Sequence, residues 1–427
     1  MSTFQILGLV VALVAVFGYL NHRFVKLPDA IGITAIGVVV SIAAVLAASF
    51  LPALRTAVES AGRFDFAGVL LHGVLGLLLF AGSLHLNAAD IAKEKWLILV
   101  LATCGVIAST AIVGAGFFGA TQALGLTIPL TACLLFGALI SPTDPVAVLA
   151  VLKRVGVPKS LESRIAGESL FNDGTGVVVF LTLLAFAVAP AGVDAAATAR
   201  LLLTEVVGGT AFGLLAGHLG FLMLRRVDSY AVEILITLAL ATGGYALAEA
   251  LEVSAPIAVV LMGLIVGNRG KREAMSEQTR KRLFDFWEVV DELLNLLLFG
   301  LIGLEMMVLT FSTLQAAAAA CAIAIVLAAR LVSVAVPLLL APRLRPYRKA
   351  SITIMTWGGL RGGISIALAL SLPAIAGRET IVSSTYAVVI FSILVQALTL
   401  RRVAASVLTR ADATNPVPGA PDVAASR

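Results

Sequence analysis

Long apolar runs separated by short polar ones set the rhythm of this chain. The apolar blocks fall at residues 4–20, 28–50, 67–86, 96–119, 127–152, 164–189, 199–223, 230–251, 255–268, 287–310, 314–341, 349–373 and 380–400. A hydrocarbon core of about 30 Å takes roughly 20 residues of helix to cross. The blocks therefore predict an all-α polytopic membrane protein with about 13 transmembrane helices and no room for a sizeable soluble domain. Residues 4–20 have no Lys or Arg before them and run into Asn21-His22-Arg23 rather than a small-residue cleavage site. That reads as a retained first helix, not a signal peptide.

Composition strengthens the membrane reading. Of 427 residues 60% are hydrophobic and 13% charged, and mean hydropathy is +1.04. Ordinary soluble domains carry roughly a quarter charged residues. The net charge of +5 and pI near 9.3 would suit a nucleic-acid partner, but the basic residues sit in short connections, where they report topology. Arg55, Arg63, Arg200 and Arg378 fall on one side of the predicted membrane and 24 Lys and Arg on the other, leaving Arg330 and Arg361 inside spans. This segregation predicts an N-terminus outside, a C-terminus in the cytoplasm and no nucleic-acid partner. Asn268 to Asp285 reads as a basic cytoplasmic loop, and the Ala/Pro/Ser/Asp-rich tail Ala411 to Arg427 as irregular chain. Cys104, Cys133 and Cys321 lie in apolar segments and read as small buried hydrophobes, and the four histidines form no cluster that would hold a metal.

The chemistry concentrates where the apolar rhythm fails. In Ser141-Pro142-Thr143-Asp144-Pro145 two prolines bracket a carboxylate. Each proline removes a backbone N–H and clashes with the carbonyl four residues back, so Pro142 and Pro145 should unwind the fifth span near Thr143 and Asp144. Such backbone is tolerated at depth only when buried in protein or lining a wet cavity. Freed carbonyls beside a carboxylate are hard oxygen ligands, of the kind a small cation takes. The plainer alternative is a structural kink with Asp144 as a helix cap. In the next span Ser169, Asn172 and Asp173, spaced by three and four, share one helical face, with Glu168 on its flank. Three intramembrane acids in two neighbouring spans are costly to place and point to proton or ion traffic. Arg330 and Arg361 each need a buried partner, and Glu168 and Asp144 are the available anions. Gly358-Gly359-Leu360-Arg361-Gly362-Gly363 predicts a second broken helix, the alternative being a glycine packing seam. Leu77-Leu78-Leu79-Phe80 recurs as Leu296-Leu297-Leu298-Phe299. The same shift carries Asp144 to Gly363, beside Arg361, in a span running the opposite way, as in two inverted repeats.

Ser-Pro-Thr-Asp-Pro at 141–145, Gly-Glu-Ser-Leu-Phe-Asn-Asp-Gly at 167–174, Asn295 with Leu298-Phe299 and Gly303-Leu304-Glu305, and Trp357-Gly358-Gly359-Leu360-Arg361-Gly362 occur in this order. Together they resemble the Na⁺/H⁺ exchanger family in its electroneutral Asn-Asp branch, up to about residue 404. The resemblance implies that Asp173 alternately binds Na⁺ and H⁺, with Asp144, the Thr143 backbone and Ser169 as companions and Asn172 as support. Asp173 and Asp144 would hold the transported Na⁺, with no other cofactor. It implies a Glu168–Arg330 ion pair, and Arg361 as the cation compensating the unwound helix dipoles. It further implies a homodimer in a bacterial inner membrane, with residues 1–90 and 227–312 in a dimerisation bundle, 91–190 and 313–404 in a core transport domain, 191–226 as linker helix and 405–427 as a cytoplasmic tail. Many members carry an acid in the segment matching Leu78 to Gly82; Ala81 stands there, which leaves the choice among Na⁺, K⁺ and Li⁺ open.

The expected function is secondary antiport of Na⁺ for H⁺ by alternating access, not an enzymatic reaction. Exchange is electroneutral if one carboxylate alone changes its occupant. K⁺/H⁺ exchange is the alternative within transport. A two-aspartate intramembrane protease also needs paired carboxylates at depth, but the Tyr-Asp and Gly-x-Gly-Asp motifs of those enzymes are missing around Asp144 and Asp173.

Overall fold

Asn21 turns the chain between its first two helices, α1 (Thr3–Leu20) and α2 (Asp29–Ala48), by donating from Nδ2 to Leu27 O and Asp29 Oδ1 while its Oδ1 accepts from Leu27 N. The computed structural model describes residues 3–48, 50, 66–188, 195–306, 312–341 and 348–414; among these, helix occupies every apolar block and there is no strand. A π-helical turn over Val69–Val74 leads into α3 (Leu75–His85). The fourth block is α4 (Ala88–Ala102) and α5 (Cys104–Ala123), divided at Thr103. The fifth is two pieces, α6 (Leu130–Ile140) and α7 (Val146–Val155), and α8 (Lys159–Val188) follows. Then come α9 (Ala195–Leu224), α10 (Tyr230–Ala250), α11 (Ala255–Ile265), α12 (Glu277–Glu305) and α13 (Thr313–Leu340). The twelfth block is again two pieces, α14 (Arg348–Trp357) and α15 (Gly363–Leu370), before α16 (Arg378–Phe391) and α17 (Leu398–Thr414). Eight helical stretches of the described residues are long and apolar enough to cross a membrane, which makes this an integral membrane protein.

Four expectations change. Much of the predicted loop Asn268 to Asp285 is helix: α12 starts at Glu277, where the Ser276 side chain accepts from Thr279 N, because this turn buries Leu283 and Trp287 while its charges stay outside. The tail is helical through Thr414, because Ala, Leu and Arg extend α17, and residues 415–427 lie outside the described chain. Of the cysteines only Cys133 is buried, with Cys104 exposed and Cys321 half-buried, since an apolar helix in lipid can turn a thiol outward. Arg164, read as a connection residue, is buried in a forked pair with Glu94 that ties α8 to α4 (Nε–Oε2 3.0 Å, Nη2–Oε1 3.1 Å). Arg55, Arg63, Arg343, Arg345 and Arg427 of the charge segregation lie outside the described residues.

The buried side chains form one large cluster and two smaller ones. The large one joins α6, α8, α13, α15 and α16 through Phe136, Phe180, Val326, Ile366 and Val389. A second gathers Phe80, Tyr245, Val259 and Trp287 from α3, α10, α11 and α12; the third, with Val14, Phe17 and Ile33, joins α1 to α2 and packs Leu297 of α12. Helix α12 is therefore seated with α2 and α3, while Leu298, Phe299 and Ile302 on another face touch the large cluster. Its seat on α2 is close, since a Cβ on Gly37 would stand 3.0 Å from Gly303 Cα, and Thr34 and Ser41 hydroxyls donate to Phe299 O (3.0 Å) and Gly303 O (2.8 Å). Small residues and cross-helix hydroxyl bonds are what hold helices together where lipid removes the hydrophobic drive.

Candidate functional site

The helical ladder stops at Ile140 and resumes at Val146, as Pro142 and Pro145 require, and stops again between Trp357 and Gly363. The two breaks meet. Asp144 N donates to Leu360 O at 2.9 Å, and Arg361 Nη1 donates to Ser141 O at 2.6 Å and Pro142 O at 2.8 Å. The carbonyls that the prolines leave unpaired are thus taken by a buried guanidinium from the opposite break. Arg361 is directed at carbonyl oxygens, not at a carboxylate as charge counting suggests, because the ends of two interrupted helices already supply negative potential.

Glu168 takes the other arginine. Arg330 Nη1 and Nη2 both reach the Glu168 carboxylate, the second at 3.0 Å to Oε2, and Arg330 Nε donates to Met355 O at 3.2 Å. Both side chains are nearly shut from solvent, at 9% and 2% exposure. The pair links α8 to α13 and, through Met355, to the end of α14.

Around Thr143 the unwound backbone is clamped by the polar face of α8. Thr143 N donates to Asn172 Oδ1 at 3.3 Å, Asn172 Nδ2 donates to Thr143 Oγ1 at 2.8 Å, and the Thr143 and Ser169 hydroxyls are 3.1 Å apart. Asp144 Oδ1 accepts from Val146 N at 2.9 Å, so the capping alternative is realised in part, while the same carboxylate also lines the cavity below. Asp173, 8% exposed, has no hydrogen-bond partner among the described residues and lies within electrostatic range of Asp144.

Asp144, Asp173, Thr143 and Ser169 line one cavity of about 1290 Å³. Lys26, Asn87, Lys153 and Lys159 also line it, from three connections that the charge pattern assigns to one side of the membrane. Two carboxylates with adjacent hydroxyls and an unwound backbone form a hard-oxygen site reachable by water, which can hold a small cation or a proton.

Ala81 does not reach this cavity. It is wholly buried in the cluster with Phe80 and Val259, while Leu75, Leu78, Leu79, Gly82 and His85 of α3 line the space. An acid at this position would point into apolar packing. The sequence reading missed Glu288, Asp291 and Glu292, which line the cavity from α12. Together with Asn295 they recur at i, i+3, i+4 and i+7, a helical stripe inside the block 287–310, which is apolar on average.

Gly362 supplies a test of the crossing. A Cβ there would stand 2.8 Å from Asp144 Cβ, and the extended backbone at Gly362 caps α15. Gly362→Ala is expected to push Asp144 out of register and weaken cation binding at this site by roughly tenfold or more, as a displacement of about an ångström at a reacting group does. Expression should stay normal, and cation titration of the purified protein beside the wild type checks it.

The family described as "Sodium/hydrogen exchanger, transmembrane" matches residues 10–406. The Na(+)/H(+) antiporter NhaP of Pseudomonas aeruginosa is 46% identical over 91% of this chain and 93% of its own. The Na(+)/H(+) antiporter NhaH of Halobacillus aidingensis is 33% identical over 89% of this chain and 92% of its own. The solved structure of the sodium proton antiporter MjNhaP1 from Methanocaldococcus jannaschii at pH 8 superposes with a TM-score of 0.71 at 20% identity, over 95% of this chain and 98% of that one. That likeness speaks to the fold.

Proposed function

The chain belongs to the sodium/hydrogen exchanger family, and from that premise we propose that it exchanges Na⁺ for H⁺ across a bacterial inner membrane by alternating access, with Asp173 carrying either ion. The observation that carries the reading is Asp173 itself: a buried carboxylate lining a water-wide cavity, with no hydrogen-bond partner among the described residues, beside Asp144, Ser169 and an unwound backbone. A group so placed must take its counterion from the solvent, as a metal cation or as a proton. Asp144, Ser169 and the Thr143 backbone complete the Na⁺ shell, and Asn172 holds Thr143 in place. Glu168 with Arg330, and Arg361 at the crossing, keep the two broken helices together. Exchange is electroneutral because one carboxylate changes its occupant.

The helices divide as a moving core (91–190 and 313–404) and a dimerisation bundle (1–90 and 227–312) joined by the linker 191–226, each body built from inverted halves, in thirteen spans. What supports this division is that the largest apolar cluster lies mainly within the first pair of segments and the two smaller ones mainly within the second. The cavity, opening where the Lys-rich connections gather, is read as the inward-facing form, with the N-terminus outside. The relatives carry sodium names, and K⁺/H⁺ exchange finds no support among them.

In respiring everted vesicles, Na⁺ is expected to collapse the proton gradient. If proton and Na⁺ compete for one carboxylate, each pH unit below its pKa raises the half-saturating Na⁺ concentration about tenfold at constant maximal rate. Clamping the membrane potential with valinomycin and K⁺ should leave the rate unchanged. A half-saturating concentration independent of pH would refute the shared site.

A further inference from the structure

We propose that Asp291 on α12 recruits the cation to the Asp144–Asp173 site from one face of the membrane only. The inference rests on the antiport reading and adds a residue to it. The cavity is lined by eight carboxylates against four Lys and Arg side chains, so it attracts cations although the whole chain carries +5. On α12, Glu288 and Glu292 are exposed. Asp291 is different: it is half-buried, lies within electrostatic range of Asp144, and is held by Asn295, whose Nδ2 donates to Asp291 O at 2.8 Å and to Asp291 Oδ1 at 3.2 Å. Deeper along the same helix Leu298 closes against α15, where a Cβ on Gly363 would stand 2.8 Å from Leu298 Cγ. Asp291 is thus the half-buried acid of the α12 stripe, short of the Leu298 contact and within electrostatic range of Asp144 in the same cavity.

The geometry makes its influence one-sided. Asp144 and Asp173 stand on α6–α7 and α8, which pack into the large cluster, whereas α12 meets that cluster with Leu298, Phe299 and Ile302 and its other face is seated on α2 through Gly37 and Gly303. When the core shifts to open the opposite face, the site leaves Asp291 behind. A cation arriving through this cavity meets the Asp291 charge; one arriving from the other face does not.

The test compares half-saturating Na⁺ in everted and in right-side-out vesicles from the same cells. Asp291→Asn is expected to raise it about three- to tenfold on the face to which the cavity opens, the effect of removing one nearby unit charge, and to leave the other face within twofold. Asp291→Glu should restore the wild-type value, and Asp291→Ser serves if the asparagine variant does not reach the membrane. An equal change on both faces, or none on either, would overturn the assignment. Wild-type vesicles without Na⁺-dependent proton movement on either face would instead overturn the antiport reading, a result seen before any variant is compared.

Discussion

Asparagine at position 173 is expected to reduce Na⁺-driven proton movement to the background of vesicles lacking the protein, with the variant still present in the membrane. The amide has the carboxylate's shape but neither its charge nor its proton, so it can neither neutralise Na⁺ nor return with H⁺. The fold should survive, because Asp173 has no hydrogen bond within the described protein to lose and its neighbour Asn172 keeps its bonds to Thr143. Asp173→Glu preserves the chemistry but lengthens the arm in a tight site, and should retain part of the activity. Full exchange in the asparagine variant, measured as fluorescence recovery on Na⁺ addition, would move the carrier role elsewhere, with Asp144 the next candidate.

The second large effect is on stability. Glu168→Gln removes the carboxylate that receives two Arg330 nitrogens, leaving a guanidinium buried at 9% exposure with only Met355 O as a fixed acceptor. Breaking a buried pair from one side costs about 3–5 kcal/mol, whereas removing both charges can be close to neutral. Melting of the detergent-purified protein should therefore fall by roughly 3–6 °C in the single variant. The double variant Glu168→Leu with Arg330→Met should recover most of that loss while remaining impaired in transport, because Arg330 also fixes the end of α14 through Met355 O. A single variant that melts with the wild type would show that the pair does not hold α8 to α13.

The local parts of the site were legible along the chain. Two prolines three apart cannot both continue a helix, and the break between Ile140 and Val146 is where they stand. The spacing of Ser169, Asn172 and Asp173 puts them on one face by helical geometry alone, and Ser169 and Asn172 on that face meet Thr143. A buried arginine needs a counter-charge, which made Glu168 and Arg330 candidates for each other although they are 162 positions apart. The same rule failed at Arg361, because charge counting sees carboxylates but not the carbonyls of an interrupted helix. Asp291 stayed hidden for another reason: a block that is apolar on average masks a four-residue polar stripe.

By itself, then, the sequence determined the membrane-embedded all-helical class, the two helix breaks and the charges that stand beside them, Asp144, Glu168, Asp173, Arg330 and Arg361. Each follows from short-range rules, the length needed to cross a bilayer, proline sterics and helical periodicity, that operate within a few turns. Only the tertiary structure decided that the two breaks cross, that Arg361 binds carbonyls while Arg330 takes Glu168, and that Asp291 joins Asp173 in one cavity. Those are pairings between segments more than a hundred residues apart, selected by the packing of whole helices, on which local propensity is silent.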